Sequence, residues 1–511
     1  MRNVFRAVSS TGNKAKESSS AEPGNALPID RIGCALLAAV TLSTVCLGAH
    51  AQSADDVSQT SQISEDKNNV NIAPVLIDEA KRSGRTADEM SSGVGKTLDG
   101  LGIYPSLLLM ENAFDSGTLG IAPGKVQLVS TVGLGLDLDL GKLAGIDGGA
   151  FHLSYLRNYS RINNPVTPSM GVFPLGFVPP NAPRSDVPIF TYEQHLLDNK
   201  LDIEVGRKQF ISYFVDEYAL WEDLSSTYGY AFLTLAPPYG LWMGRVRYEF
   251  GGGLYAQAAV YELNNNLWGR SGWDWSTSGD TGVTFLETLG YHRSYRDTPY
   301  PWHAELTSYT NTARQNDPYY TSNGTSSVFD KTSPVQTHYG ASGLILRSGK
   351  VFYRADGGQS VHGEDVSALY AFGSVGVNLQ SWAPSGVAYD AYAGVAWLNP
   401  FGLANDVLGV KVEADRLTSR EQQFLSDANL SVGGSGYRSP RTTEFAQVYS
   451  HFLIGKWASV DPFVAYGAGA NTVFDPYTTL RPKNGYVLGC FLIINLGNLL
   501  GLPSRPRPWE E

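Results

Sequence analysis

The stretch LWMGRVRYEF (241–250) sets Arg245, Arg247 and Glu249 at every second position, with Trp242, Val246 and Tyr248 between them. A guanidinium is always charged and forks onto paired oxygens, while a carboxylate accepts hydroxyl protons, so one face of this segment can grip a polar solute. The segment QFISYFVDEYALWEDLSSTYGYAF (209–232) adds Asp216, Glu217, Glu222 and Asp223 as acceptors, with Tyr213, Tyr218 and Trp221 as flat apolar faces. Arg207 is a third source of positive charge. It shares parity with Leu201, Ile203 and Val205, so it joins the charged face only if the strand ends or bulges near Gly206. The alternative is that 216–223 forms a solvated outer loop and the arginines pair with Asp202 and Glu204.

This is chemistry of recognition rather than of bond-breaking. The chain has no G-x-S-x-G elbow, no H-E-x-x-H and no glycine-rich phosphate loop leading into a helix. Its eight histidines are scattered, and His152, His195, His303 and His338 read as ordinary polar positions. No catalytic residue, metal or cofactor is expected. A secreted β-rich carbohydrate-active enzyme or carbohydrate-binding protein remains the alternative of another class, since two carboxylates about 5 to 9 Å apart suffice for glycoside hydrolysis. The formal charge of −11, with no basic stripe, argues against nucleic acid.

The elements that carry these residues read as strands. The 511 residues include 55 glycines and 12% aromatics but only 17% charged residues, a composition that favours an all-β chain. In KLDIEVGRK, Leu201, Ile203 and Val205 oppose Asp202, Glu204 and Lys208. In VLGVKVEADRL, Leu408, Val410, Val412 and Ala414 oppose Lys411, Glu413 and Asp415. Period two means strand. About sixteen such segments follow one another between residues 101 and 496, and the tenth, 338–356, contains RSGK and reads alternatively as a hairpin. Short links such as Asp198-Asn199 alternate with long ones at 161–187, 209–239, 313–337, 418–440 and 471–484. Tyr248, Tyr255, Tyr261, Tyr309 and Trp397 lie near strand ends, where interfacial belts would place them.

Alternation alone also fits a soluble sheet, but strand number and alternating link length point to a membrane. In hydrocarbon every backbone N–H and C=O needs an internal partner, so a sheet survives only if it closes on itself. The expected fold is therefore a closed antiparallel transmembrane β-barrel of about 16 strands, with short periplasmic turns and long extracellular loops. A barrel of that size leaves an aqueous channel. Trp242, Val246 and Tyr248 would then meet lipid, and Arg245, Arg247 and Glu249 would meet water.

The barrel is expected over 100–497, preceded by a signal peptide (1–51) and a flexible periplasmic arm (52–99), and followed by a tail (498–511). The run RIGCALLAAVTLSTVCLGAHA ends in Ala49-His50-Ala51, a small-x-small cleavage pattern after an apolar stretch too short to span a bilayer. Cleavage there removes Cys34 and Cys46 and leaves Cys490, which excludes an internal disulfide framework.

Five blocks carry a likeness: LDLDLGKLAGIDGGAFHLSYL, QHLLDNKLDIEVGRKQF, APPYGLWMGRVRYEFGGGLYAQAAVYELN, NPFGLANDVLGVKVEADRL, and TTEFAQVYSHFLIGKWASVDPFVAYGAG with NGYVLGCFLIINLG. In that order they resemble the carbohydrate-selective porins of the OprB type, over about 100–497. The resemblance implies a sixteen-stranded barrel of the Gram-negative outer membrane that passes sugars by diffusion. Carbohydrate solutes and outer-membrane lipids would be its partners, and a homotrimer is compatible with that architecture. It also implies that the 209–239 link, corresponding to the third loop of porins, folds into the lumen, so that Asp216, Glu217, Tyr218, Trp221, Glu222 and Asp223 face Arg207, Arg245, Arg247 and Glu249 across a sugar-binding constriction. Within the pore class, a general or organic-acid-selective channel is the runner-up. The chain departs from the family by continuing past its last strand as NLLGLPSRPRPWEE.

The leader reading makes a direct prediction. Mass spectrometry of the exported protein should find a mature N-terminus at Gln52; an intact Met1 or a terminus beyond 99 would contradict it.

Overall fold

A computed structural model describes residues 93–162, 166, 170–171, 184–208, 240–264, 273, 275–277, 280–295, 297–359, 366–382, 386–455 and 457–503. The segment expected as a leader, most of the expected arm, the 209–239 loop and the end of the expected tail lie outside the described residues. The strands are β1 (Ile103–Asp115), β2 (Val126–Asp139), β3 (Gly149–Ile162), β4 (Arg184–Leu196), β5 (Leu201–Lys208), β6 (Leu241–Gly251), β7 (Leu254–Asn264) and β8 (Asp280–Arg293). They continue as β9 (Trp302–Thr321), β10 (Val335–Arg354), β11 (Ala368–Asn378), β12 (Val387–Leu398), β13 (Val407–Leu417), β14 (Thr442–Ile454), β15 (Ala458–Ala468) and β16 (Gly485–Asn495). Each pairs antiparallel with its chain neighbours, and β1 pairs with β16 from Leu108 opposite Asn495 to Asp115 opposite Leu488, so the sheet closes. The tenth strand runs unbroken through RSGK, and the count is even.

Side-chain burial is inverted relative to a water-soluble sheet. Val205, Val246, Leu289, Leu306, Leu346, Val410, Val412 and Val448 are exposed on the outer face. The residues between them, including Glu204, Arg245, Arg247, Glu305, Arg347, Lys411 and Glu413, are buried on the inner one. A wall with this polarity is satisfied only when lipid lies outside it. Among the described residues no helix is long and apolar enough to cross a membrane.

On one rim the links Leu197–Lys200 and Gly251–Gly253 are short, while the β10–β11 link on the same rim runs over 355–367. The first turn keeps Leu197, Asp198 and Asn199 in the left-handed region, and the second relies on three glycines at φ 91°, 65° and 92°. The opposite rim carries longer links, but β9 and β10 reach past their neighbours and reduce the expected 313–337 loop to 322–334. There Asp330 accepts from the Thr325 and Thr332 hydroxyls and the Ser333 amide, and these bonds together with one from the Ser333 hydroxyl hold its carboxyl below the usual range. Short helices punctuate the chain: α1 (Gly93–Gly100), α2 (Leu140–Ala144), α3 (Ser419–Ser431) and α4 (Leu496–Leu499). Helix α3 falls in the segment expected to be a plain loop. Thr418 caps its N-terminus, and it is anchored toward β9 through an Arg420–Asp317 ion pair and by Tyr319 donating to Asp427 (2.9 Å).

The belt assignment needs correction for three residues. Tyr248 and Trp397 point outward, and Tyr291 stacks on Trp302 at the same rim, with ring centroids 4.6 Å apart. Tyr255, Tyr261 and Tyr309 instead point inward and are buried. Glycines opposite the rings make room for two of them. A Cβ on Gly290 would lie 2.2 Å from the Tyr255 ring, and one on Gly343 would lie 2.3 Å from that of Tyr309. Phe372 opposite Gly394, Tyr449 opposite Gly409 and Phe463 opposite Gly489 repeat the arrangement, an aromatic side chain covering a glycine on the next strand.

Polarity inversion sets the cost of a misplaced charge. Val412→Arg, on the outer face at the centre of β13, should lower unfolding stability in phospholipid bilayers by about 2–4 kcal/mol, whereas Val412→Leu should leave it unchanged. Equal urea midpoints for the two variants would contradict a lipid-facing Val412.

Candidate pore constriction

Strands β2 to β10 bring the inward charges together. Arg245 on β6 pairs with Asp202 and lies 3.6 Å from Glu193 and 3.7 Å from Glu204. Lys208 reaches Glu204 at 3.1 Å, and His152 bridges Asp137 (2.7 Å) and Glu193 (3.2 Å). The alternative of arginine pairing with Asp202 and Glu204 is thus what the structure adopts for Arg245. Ion pairs this deeply buried survive only as a network: removing one member strands the rest, at about 3–5 kcal/mol.

Arg247 lies farther toward the short-link rim. Its guanidinium carbon sits 4.0 Å from the Tyr255 ring centroid, and its Nε donates to Glu249 at 2.9 Å. Glu249 also approaches His292 (3.9 Å), and it stands two residues from the Gly251 turn rather than at mid-wall. Tyr255 donates to Glu305 (2.8 Å), which also accepts from the Arg347 Nε (3.1 Å) and Nη2 (2.7 Å). The result is an arc of Arg247, Tyr255, Glu305 and Arg347 running from β6 to β10. Two guanidiniums and a carboxylate supply donors and acceptors that suit a polyhydroxylated solute, and the buried Tyr255 ring backs Arg247.

Arg207 is a correction. The β5 register with β4 and β6 continues unbroken from Leu201 to Lys208, so no bulge turns Arg207 inward, although Gly206 takes φ 139°. Its cross-strand partners Phe190 and Trp242 stand on the outer face. The guanidinium lies buried beside the Trp242 and Trp275 rings (5.9 and 5.1 Å) and donates to the Gly240 carbonyl. Cation–π contact and that carbonyl support the charge on the outer wall, near the long-link rim. Lys208 takes the inward position instead. Asp216, Glu217, Tyr218, Trp221, Glu222 and Asp223 lie outside the described residues.

Sequence reasoning missed Glu305 and Arg347. Their signal was present as alternation in WHAEL and GLILRSG, but only the register that sets Arg347 opposite Glu305 makes them a pair.

Comparison with known proteins agrees with this architecture. The model of the "Carbohydrate-selective porin, OprB family" matches residues 130–491. No curated relative matches by sequence. Among solved structures, the high-pH form of Pseudomonas putida OprB is similar at TM-score 0.64 and 18% identity, covering 79% of this chain and 96% of that one. Its low-pH form follows at 0.47 and 14%, covering 80% and 99%. Salmonella typhi OmpF in complex with daunomycin stands at 0.46 and 12%, covering 78% and 98%. A family match over most of the chain, on a closed sixteen-stranded barrel with an inverted wall, makes this protein a member of the carbohydrate-selective OprB porin family, a channel of the Gram-negative outer membrane.

Proposed function

We propose that sugars are selected on the inner wall by the arc from Arg247 through Tyr255 and Glu305 to Arg347, with Arg245 holding the neighbouring acids in place. The carrying observation is the Tyr255–Glu305–Arg347 chain of hydrogen bonds, in which the buried Tyr255 ring backs Arg247 and holds the charged groups on one side of the lumen. The third loop is proposed to supply the opposite side, where Asp216, Glu217, Glu222 and Asp223 offer acceptors and Tyr218 and Trp221 offer ring faces. Transport is passive, and the chain performs no chemistry on the solute. This pathway belongs to one barrel and is the same whether one barrel or three assemble.

The organic-acid alternative is weakened by charge. Glu193, Asp202, Glu204, Glu305, Asp390, Glu413, Asp415 and Asp461 are buried with inward cations that include Arg245, Arg247, Arg347 and Lys411. A wall this rich in carboxylates disfavours an anionic solute and leaves a neutral one unaffected.

Two outcomes follow. In proteoliposomes, glucose should drive swelling faster than a monocarboxylate of similar size; the reverse order would favour the acid channel. Arg247→Gln with Arg347→Gln should weaken glucose block of single-channel current roughly tenfold, the loss of about 1.5 kcal/mol from charged hydrogen bonds. The heat-modifiable barrel band should remain. Unchanged block would remove the arc from the constriction.

A further inference from the structure

A second cluster of inward side chains lies on the other side of the barrel and is not used by the sugar pathway. Asp390 on β12 and Asp415 on β13 are direct cross-strand partners, and Glu413 lies two residues from Asp415 on the same face. All three are almost wholly buried, at 0%, 1% and 4% exposure. One ligand oxygen from each lies within 4.8 Å of the others. The only cation contacting them among the described residues is Lys411, at 3.3 Å from Glu413 Oε2. Among the described residues, both oxygens of Asp390, both of Asp415 and Glu413 Oε1 receive no hydrogen bond from any donor outside the cluster.

Like charges set directly opposite one another across a sheet repel. Burial without outside donors raises the cost, because each carboxylate has lost its water. The arrangement differs from the β4–β6 cluster, where Arg245, Lys208 and His152 already engage the acids. Three carboxylates against one ammonium leave two negative charges in one small volume, lined by oxygen only. Such a donor set suits a hard divalent cation and gives no preference to zinc or copper, which favour nitrogen and sulfur. Calcium takes oxygen ligands at about 2.3–2.6 Å in flexible geometry, and three oxygens this close together can touch one such ion.

We propose that Asp390, Glu413 and Asp415 form a calcium-binding site on the inner wall near the long-link rim, with Lys411 limiting its net charge. The ion would tie β12 to β13 beside the start of α3 and would replace carboxylate repulsion with shared coordination. Water would complete its shell from the lumen side. The site goes beyond sugar selection and stands independently of it.

The test uses the full mature protein, refolded in detergent without lipopolysaccharide and stripped with chelator, so that lipid-bound calcium does not contribute. Equilibrium dialysis against calcium alone should find one ion per barrel. Asp390→Asn with Asp415→Asn should weaken binding at least tenfold, and Lys411→Met should tighten it. Terbium added in place of calcium should give sensitised emission, with Tyr392 opposite Glu413 as a nearby donor, and calcium should quench it by competition. Wild-type barrel that retains no calcium and gives no terbium signal would overturn the site, whatever the variants do. Binding that persists unchanged in a folded double variant would also overturn it. Glucose-dependent conductance is a separate readout, so failure of the calcium site leaves the sugar reading intact.

Discussion

Closure of the backbone hydrogen-bond ladder is the constraint on which everything else depends. A strand in hydrocarbon has no water to fall back on, and the pairing of β1 with β16 removes the last two edges. Once the ring is closed, side-chain parity decides what each residue meets. Val410 and Val412 face outward and Lys411 and Glu413 inward, on four consecutive positions. One backbone thus solves two solvation problems at once. The same parity explains why a one-residue slip is so costly here: it would carry every buried charge of a strand into lipid.

The inner wall then has to satisfy its own charges, and it does so in two styles. Between β4 and β10, acids and bases interlock, with Arg245 among three carboxylates and Glu305 shared by Tyr255 and Arg347. Between β11 and β16, rings do much of the filling, and glycines on facing strands admit them, as with Phe463 over Gly489. Phe114, Phe463 and Phe491 form a cluster with centroids 5.5 to 6.2 Å apart. Both arcs mix the two kinds of group, since Lys411 and Glu413 lie among the rings of one and Tyr255 and Tyr309 among the charges of the other. Helix α3 bears on the mouth of the same channel, held to β9 by Arg420–Asp317 and to the 469–484 link by Asn429 donating to Thr478 (2.7 Å).

Much of this fold was legible in the sequence, because period two and turn residues are local signals. Strand ends in β5, β6 and β13 fall within a residue of the alternating runs KLDIEVGRK, LWMGRVRYEF and VLGVKVEADRL, and Arg245 and Arg247 face inward as their parity required. What was not legible depends on register or on tertiary contact. Tyr255 and Tyr309 resemble belt residues until the glycines opposite them are known. Arg207 kept the outward parity of Leu201 to Val205, and the aromatic cover that makes this tolerable comes partly from Trp275, far along the chain. RSGK looks like a turn, yet Arg347 lies mid-strand because Glu305 faces it. Helix α3 was hidden by its weak apolar pattern, since its stability comes from a Thr418 cap and partners on other loops.

The central claim is that this wall keeps acyl chains outside and a continuous column of water inside. The most direct measurement is single-channel current through a planar lipid film after addition of the purified mature protein. Discrete ohmic steps that shrink as glucose is raised are the predicted result. A protein that remains dispersed without detergent and leaves the film silent would contradict the account.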